Sequence, residues 1–294
     1  MNKKLLPVVV HNLRNYDLHV MCATALGKMK DWNLSVIPQT TERYFSLTAQ
    51  IPAGLTQKSR KQRFSSLRFI DSFQFMQASL ATLVSNLTTE KMKQCSTLGW
   101  PQELIKAKGV FPYSWLDSAE KLNAVELPPI EAFFDTLCQN NISESDYKRA
   151  QSAWDDLHCT TMREYMLEYL KLDVHQLADV FEEFRAVALK DDGLDPAHYL
   201  TAPGLSWDAA FLSTGVEVEL IVDPQMLTFF ENGIQGGMVF VNQHHIAANT
   251  PRVPETYNPE AAFCDLLYID ANNLYGQALS MPLPQKGISV DDSG

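Results

Sequence analysis

The chain has 294 residues, of which 46% are hydrophobic and 20% charged, and this composition favours a globular, soluble protein with one large or two smaller domains. Its formal net charge of -11 argues against nucleic-acid binding, because affinity for DNA depends mainly on Lys and Arg that neutralise phosphates. Two circumstances would answer that objection: metal-dependent phosphoryl-transfer sites are carboxylate clusters, and a piece of a larger enzyme can lack its most basic subdomains.

The apolar segments and the cysteines exclude two further classes. No apolar stretch is long enough to cross a bilayer, and the five cysteines are scattered without a Cys-x-x-Cys pair. The N-terminal apolar run is broken by Pro7 and His11 and precedes no small-residue cleavage site, which predicts a buried strand rather than a signal peptide. We expect reduced thiols, an intracellular protein and no membrane partner.

The first 90 residues alternate between strand and helix patterns. Residues 5–13, 43–51 and 65–73 have strand-like sequences, and residues 18–29 have the helical period. This order predicts an α/β arrangement.

A long amphipathic helix is predicted from about Met162 to Leu189, after a middle section rich in Pro and Gly. Its expected apolar face consists of Met166, Tyr169, Leu170, Val174, Leu177, Val180, Phe181 and Phe184.

The composition changes near residue 190, where we place a boundary between residues 1–190 and 191–294. The second part contains three strand-like segments, residues 216–222, 236–241 and 265–270.

The first candidate motif is HNLRNYD, residues 11–17, where a hydrophobic strand ends and a helix begins. An aspartate in this position, Asp17, can hold a metal ion while Asn12 and Tyr16 contact a nucleotide. For an isolated aspartate, capping of the following helix is the simpler interpretation.

The second candidate pair is Tyr169 and Asp173, whose spacing of four places both side chains on one face of the predicted helix. The hydroxyl could orient a water molecule beside a metal ion bound by the carboxylate. Taken alone, the pair is better explained as a core tyrosine and a surface aspartate.

The third motif is DANNLYG, which begins at Asp270 after the apolar run from Leu266 to Ile269. A buried strand that ends in an aspartate commonly places a metal-binding carboxylate at a sheet edge. Turn chemistry after a buried strand would also explain these Asp and Asn residues.

The order and separation of these motifs resemble those of the protein-primed family B DNA polymerases of phages, linear plasmids, adenovirus-like viruses and Polinton (Maverick) transposons. Residues 11–17 resemble the second exonuclease motif of that family, and Tyr169 with Asp173 resembles the third, Tyr-x-x-x-Asp. The resemblance covers nearly the whole chain.

Residues 270–276 resemble the first polymerase motif, Asp-x-x-Ser-Leu-Tyr-Pro, with Asn273 in place of Ser and Gly276 in place of Pro, as in Polinton-type members. The pair Gly236 and Gly237 resembles the glycines of the family's Tyr-x-Gly-Gly segment, although the two positions before them differ from it. In FIDSFQFMQASL, Ser72 corresponds to a serine that holds single-stranded DNA.

The resemblance implies a ribonuclease-H-like 3'-5' exonuclease domain in residues 1–190, truncated at its N-terminus and α/β in class, followed by the start of an α+β polymerase palm in residues 191–294. It implies DNA template and primer, deoxynucleotides and a terminal priming protein as partners, with Mg²⁺ or Mn²⁺ as cofactor.

The resemblance also assigns residue roles. The metal ligands would be Asp17, Asp173 and Asp270. Proofreading would use Tyr169 to orient the water, with Lys108 of KGVFPY as the exonuclease lysine. Tyr275 would stack under the sugar of the incoming nucleotide to exclude ribonucleotides. The other nucleotide-binding residues would be Ala271, Asn273 and Leu274, and the DNA contacts would be His11, Asn12, Tyr16, Ser72, Gly236 and Gly237.

Some motifs of the family have no counterpart in the sequence. It contains no Asp-x-Glu, the first exonuclease motif, and neither a lysine-bearing finger motif nor a final Asp-x-Asp strand. We therefore expect a fragment with little activity alone. A stand-alone ribonuclease-H-like nuclease and a non-catalytic transposon relic are the alternatives. The motif at Asp270 argues against the first, and the absent Asp-x-Glu favours the second.

Overall fold

The computed structural model describes residues 5–24, 28, 31–40, 43–55, 62–137 and 139–289. The side chains of Tyr16 and of residues 53–55 and 62–64 lie outside that description. The chain divides into two compact units, residues 1–214 and 215–294. The boundary between these units, after residue 214, therefore lies further along the chain than the composition change near residue 190.

A mixed sheet of four strands organises the described part of the first unit. Its strands are β1 (Leu5–Val10), β2 (Asn33–Pro38), β3 (Tyr44–Leu55) and β4 (Gln62–Asp71), in the order β1-β4-β3-β2.

The pairing of the strands brings three segments to one edge of this sheet. β1 and β4 are parallel, with Val10 opposite Asp71, whereas β3 is antiparallel to both β4 and β2. The ends of β1 and β4 and the hairpin between β2 and β3 therefore meet. We call this region, which comprises residues 10–14, 38–40, 43–44 and 71–74, the carboxyl edge.

Alternation of side chains gives the sheet two apolar faces. On one face, Leu47, Ala49 and Phe69 pack with Leu13 and Leu18 at the start of the first helix. On the other face, Ile70 packs against Phe181 of the long helix. Helices thus cover both faces, and burial of each large side chain stabilises the fold by about 1.5–3 kcal/mol.

The described residues of both units contain helices, and a short π-helix, Leu13–Asp17, precedes the first of them along the chain. Their bounds are α1 Leu18–Thr24, α2 Leu80–Ser85, α3 Lys93–Ser96, α4 Gln102–Ile105, α5 Glu144–Asp156, α6 Met162–Asp191, α7 Ala202–Thr214, α8 Pro224–Gly233 and α9 Leu274–Leu279.

These bounds confirm most of the predictions for the first unit, including the α/β class, three of its strands and the long helix. The helix predicted over residues 18–29 is present as α1, which ends at Thr24, and residues 25–27 and 29–30 lie outside the described part. Strand β2 was not predicted.

The long helix α6 begins at a capping sequence. The Thr161 side chain accepts a hydrogen bond from the backbone N–H of Glu164, whose carboxylate accepts one from the Thr160 N–H at 2.7 Å. Such reciprocal bonds satisfy N–H groups that have no partner inside a helix.

The predicted apolar face of α6 is partly wrong. Leu170 and Val174 are 47% and 65% exposed, whereas Tyr169, Val180 and Phe181 are buried as expected. The buried face includes polar side chains because α6 also binds the backbone of two short helices, α3 and α4.

Two buried polar residues of α6 hold the start of α3 and the end of α4. The Gln176 amide donates to the carbonyl oxygens of Ile105 and Ala107, at 3.0 and 2.9 Å. The Asp179 carboxylate accepts from the N–H groups of Gln94 and Cys95, at 2.7 and 2.9 Å.

The three strands predicted in the second unit are absent from its described residues. Residues 216–222, 236–241 and 265–270 form no ladder, and an isolated bridge joins Asn249 to Cys264. Strands need a partner backbone for their N–H and C=O groups, and none of these segments pairs with another. The expected palm is not confirmed.

Two chemical expectations concern the whole chain. No helix in the described residues is both long enough and apolar enough to cross a membrane. Four cysteines of that part, Cys22, Cys95, Cys159 and Cys264, are free thiols, while Cys138 lies outside it.

Candidate active site

Helix α6 brings Tyr169 and Asp173 together with Lys108. The two helix residues are one turn apart on the same face. Lys108 comes from the segment between α4 and α5, and its Nζ lies 3.9 Å from Asp173 Oδ2. Tyr169 is buried, and the Asp173 side chain is 24% exposed. We call these three residues the tyrosine–aspartate site.

One oxygen of Asp173 has no partner among the residues that the structure describes. Its Oδ1 is buried and forms no hydrogen bond with any described residue. Burial raises the pKa of this carboxyl above its ordinary value, and the positive charge of Lys108 and a hydrogen bond from Tyr169 only partly oppose that rise. A buried carboxylate oxygen without a donor suits either a proton or a cation.

Tyr113 is part of this site and was not singled out from the sequence. Its hydroxyl is 2.6 Å from the hydroxyl of Tyr169. Burial, followed by the bond to Tyr113 and the charge of Asp173, raises the pKa of Tyr169 well above its ordinary value. Tyr169 therefore stays protonated and can act as a hydrogen-bond donor. The sequence does offer one signal for Tyr113, because this residue ends KGVFPY, the segment that also supplies Lys108.

Gly109 allows the Lys108 segment to approach α6 closely. A Cβ at this position would lie 2.7 Å from Cδ2 of Tyr169, which is too close for two carbon atoms. Glycine is therefore required next to Lys108 if the Tyr169 ring is to keep its place.

His11 and Ser72 meet at the carboxyl edge. His11 Nδ1 is 2.9 Å from Ser72 Oγ, and His11 Nε2 is 3.0 Å from the carbonyl oxygen of Ala78. The Ser72 hydroxyl is also 3.3 Å from the carbonyl oxygen of Val10. Two residues expected to contact DNA are therefore adjacent, and hydrogen bonds fix both of them.

The turn after β1 places the rest of the first motif. Asn12 has a φ of 63°, the left-handed conformation that Asn tolerates better than most residues, and it accepts a 2.6 Å hydrogen bond from Asn15. Asp17 is exposed at the end of the π-helix. Partial burial and then the charge of Asp71 raise the pKa of Asp17. The side chain of Tyr16 lies outside the described part.

The described residues do not assemble a complete metal site. Carboxylate oxygens suit Mg²⁺ or Mn²⁺, and the unpartnered Oδ1 of Asp173 fits one such ligand. However, no group of three candidate ligands occurs within the described ranges, and no described interaction links Asp17 with Asp173.

The motif at Asp270 is exposed in the second unit. Asn273, with a φ of 55°, caps α9, and its side chain accepts a 3.2 Å hydrogen bond from the Gly276 N–H. Tyr275 is 88% exposed and Leu274 58%, while Asp270 and Ala271 are also exposed. The motif therefore lies on an open surface.

The two departures from the family motif depend on each other. A Cβ at Gly276 would lie within 2.7 Å of three atoms of the Asn273 side chain. By contrast, a Cβ at Gly236 or Gly237 would meet nothing within 4 Å, so packing within the described residues does not require that pair.

These features define an α/β protein with a site of carboxylate, tyrosine and lysine groups. Residues 1–250 match the family described as DNA polymerase type B, organellar and viral, and the chain belongs to this family. The motif at Asp270 lies beyond the matched residues. No curated protein and no solved structure gives a significant match.

Family membership gives the general activity. The resemblance is to DNA-directed DNA polymerases, nucleotidyltransferases of DNA replication whose partners are DNA and nucleotides. Polymerases of this type generally use divalent metal ions.

Proposed function

We propose that the chain is part of a protein-primed family B DNA polymerase with 3'-5' exonuclease activity, from a viral or transposon-type element. Residues 1–190 would form the ribonuclease-H-like exonuclease domain and residues 191–294 the start of the palm. The observation that carries the proposal is the grouping of Lys108, Tyr169 and Asp173 in a chain of this family.

The side chains of the tyrosine–aspartate site suit phosphodiester hydrolysis. Tyr169 remains protonated, so its hydroxyl can orient an attacking water molecule. The ammonium of Lys108 can stabilise the negative charge that develops on the phosphate. Asp173 supplies a carboxylate oxygen for a divalent ion.

The second unit would contribute to nucleotide binding. Asp270 would hold a metal ion, and Tyr275 would stack under the sugar of the deoxynucleotide, next to Ala271, Asn273 and Leu274. The open surface around these residues is compatible with a ligand, since Tyr275 is 88% exposed. Gly236 and Gly237 would lie along the template, and a terminal protein would supply the priming hydroxyl.

A second candidate function is single-strand binding without catalysis. It is favoured by the absence of a three-ligand group from the described residues and by the lack of an Asp-x-Glu sequence. We therefore expect the chain alone to bind single-stranded DNA but to degrade it very slowly.

The test is to measure three activities of the purified chain with Mg²⁺: binding of a single-stranded oligonucleotide, its degradation, and extension of a primer. The variants are Asp173→Asn, Tyr169→Phe and Asp270→Asn. We expect binding by every variant and little turnover. Any degradation of the oligonucleotide should be slower in Asp173→Asn and Tyr169→Phe but unchanged in Asp270→Asn. Any primer extension should be slower in Asp270→Asn but unchanged in the other two variants.

Two results would contradict the proposal. If the folded chain does not bind the oligonucleotide, the nucleic-acid function is wrong. If it degrades DNA as fast in Asp173→Asn as in the unmodified chain, the tyrosine–aspartate site is not the nuclease site.

A further inference from the structure

Arg14 at the carboxyl edge is held in place by two uncharged side chains. Its Nη1 donates to Gln39 Oε1 at 2.8 Å and to Gln74 Oε1 at 3.1 Å. Gln39 belongs to the hairpin between β2 and β3, and Gln74 to the turn after β4. Three segments of the chain thus fix the guanidinium group, which lowers the entropy cost of binding a ligand.

Arg14 forms no ion pair with any residue that the structure describes. None of the salt bridges between described residues includes it, whereas Lys91 and Arg185 are paired with glutamates. The nearby Asp71 carboxylate accepts from the backbone N–H groups of Arg14 and Phe73 and from the Gln74 amide. These donors offset part of its negative charge.

The geometry leaves one nitrogen of Arg14 for a ligand. Nη1 is used by the two glutamines, and Nε is buried without a partner among the described residues. Nη2 has no partner there either, but it is not among the buried atoms. It is therefore the less buried of the two guanidinium nitrogens that lack a partner there.

We propose that Arg14 binds a backbone phosphate of single-stranded DNA at the carboxyl edge, next to His11 and Ser72. A guanidinium group matches the charge and geometry of a phosphate better than other cationic side chains. This inference rests on the proposed function, which places a DNA strand along His11 and Ser72. It adds a residue that positions the strand by its backbone.

The experiment measures oligodeoxynucleotide affinity against salt concentration. The slope of log K against log salt is negative, and removal of one phosphate contact on single-stranded DNA makes it shallower by about 0.7. Arg14→Gln should show that loss, and Arg14→Lys should keep the slope because the charge remains.

The matched control is Arg163→Gln, which removes an exposed charge in the first turn of α6. It lies about 27 Å along the helix from Phe181, which packs on the sheet. This variant should keep the slope of the unmodified chain.

A second variant covers the case in which Arg14→Gln fails to fold. Gln39 is exposed, and Gln39→Glu would pair Arg14 with a carboxylate without removing either hydrogen bond. Its slope should become shallower by the same amount as that of Arg14→Gln. Where the double variant folds, its slope should differ little from that of Arg14→Gln alone.

The outcomes separate the two proposals. Intact binding with an unchanged slope in a folded Arg14→Gln, or in Gln39→Glu, overturns the role of Arg14 and leaves the proposed function standing. Absence of binding by the unmodified chain overturns both.

Discussion

Burial of Asp173 raises its pKa, so the folded state favours its protonated form. The stability that this preference contributes is complete below the ordinary carboxyl pKa of 3.8 and is lost as the pH rises through the raised pKa of the folded state. Above the ordinary pKa, ionisation of Asp173 therefore favours the unfolded chain and lowers the stability of the fold. Such strain is common where a carboxylate is kept for chemistry.

Asp173→Asn should therefore raise the melting temperature at neutral pH. The gain over the unmodified chain should shrink as the pH falls towards and below 3.8, because Asp173 then becomes protonated in the unfolded chain as well as in the folded one. Thermal unfolding followed by circular dichroism across this range tests the prediction. Asp156→Asn, an exposed control on α5, should change little. A lower melting temperature of Asp173→Asn at neutral pH would show that the ion pair with Lys108 outweighs the cost of burial.

At the scale of the element, helix α9 begins with a pair of residues that fit only together. Asn273 caps the helix, and its side chain fills the space that a Cβ of residue 276 would occupy. The sequence showed both residues as departures from a family motif, but only the coordinates show that one requires the other.

Gly276→Ala should therefore have opposite effects in two backgrounds. With Asn273 present, the new Cβ displaces the cap and should cost about 1 kcal/mol of helix stability. In Asn273→Ala, the same change should stabilise the helix by about 1 kcal/mol, because alanine is the better helix former. NMR chemical shifts of residues 274–279 report the helix population. Equal effects in both backgrounds would show that the two residues are independent.

The two units of the molecule differ in how much they bury. Residues 5–214 contain four apolar clusters, whereas Thr250 is the one buried residue in the described part of the second unit. Met238, Val239 and Leu267 are more than 80% exposed there. Since apolar burial is the main stabilising term in folding, residues 215–289 should open at low free energy.

Limited proteolysis should therefore cut the second unit first. A protease that cleaves after aromatic residues should produce a resistant fragment that contains the first unit and ends at Phe229 or at an aromatic residue further on, as measured by mass spectrometry. A comparable rate of cleavage within β1 to α6 would contradict this ranking of stability.

The sequence alone determined the features that depend on local pattern. Strand-like apolar segments predicted β1, β3 and β4, the helical period predicted α6, and the spacing of Tyr169 and Asp173 placed them on one face. The motifs also led to the polymerase family, which the match over residues 1–250 shows. Local pattern suffices because side-chain period follows directly from backbone geometry.

Tertiary structure decided the features that depend on partners distant in sequence. Strand β2 forms because β3 pairs with it, while equally strand-like segments of the second unit remain unpaired. Leu170 and Val174 are exposed because the buried face of α6 is the one that contacts α3 and α4 through Asp179 and Gln176. The bond from Tyr113 to Tyr169 and the fixing of Arg14 by Gln39 and Gln74 likewise join segments far apart in the chain. Such contacts depend on how the chain packs, and the period of a single segment does not specify them.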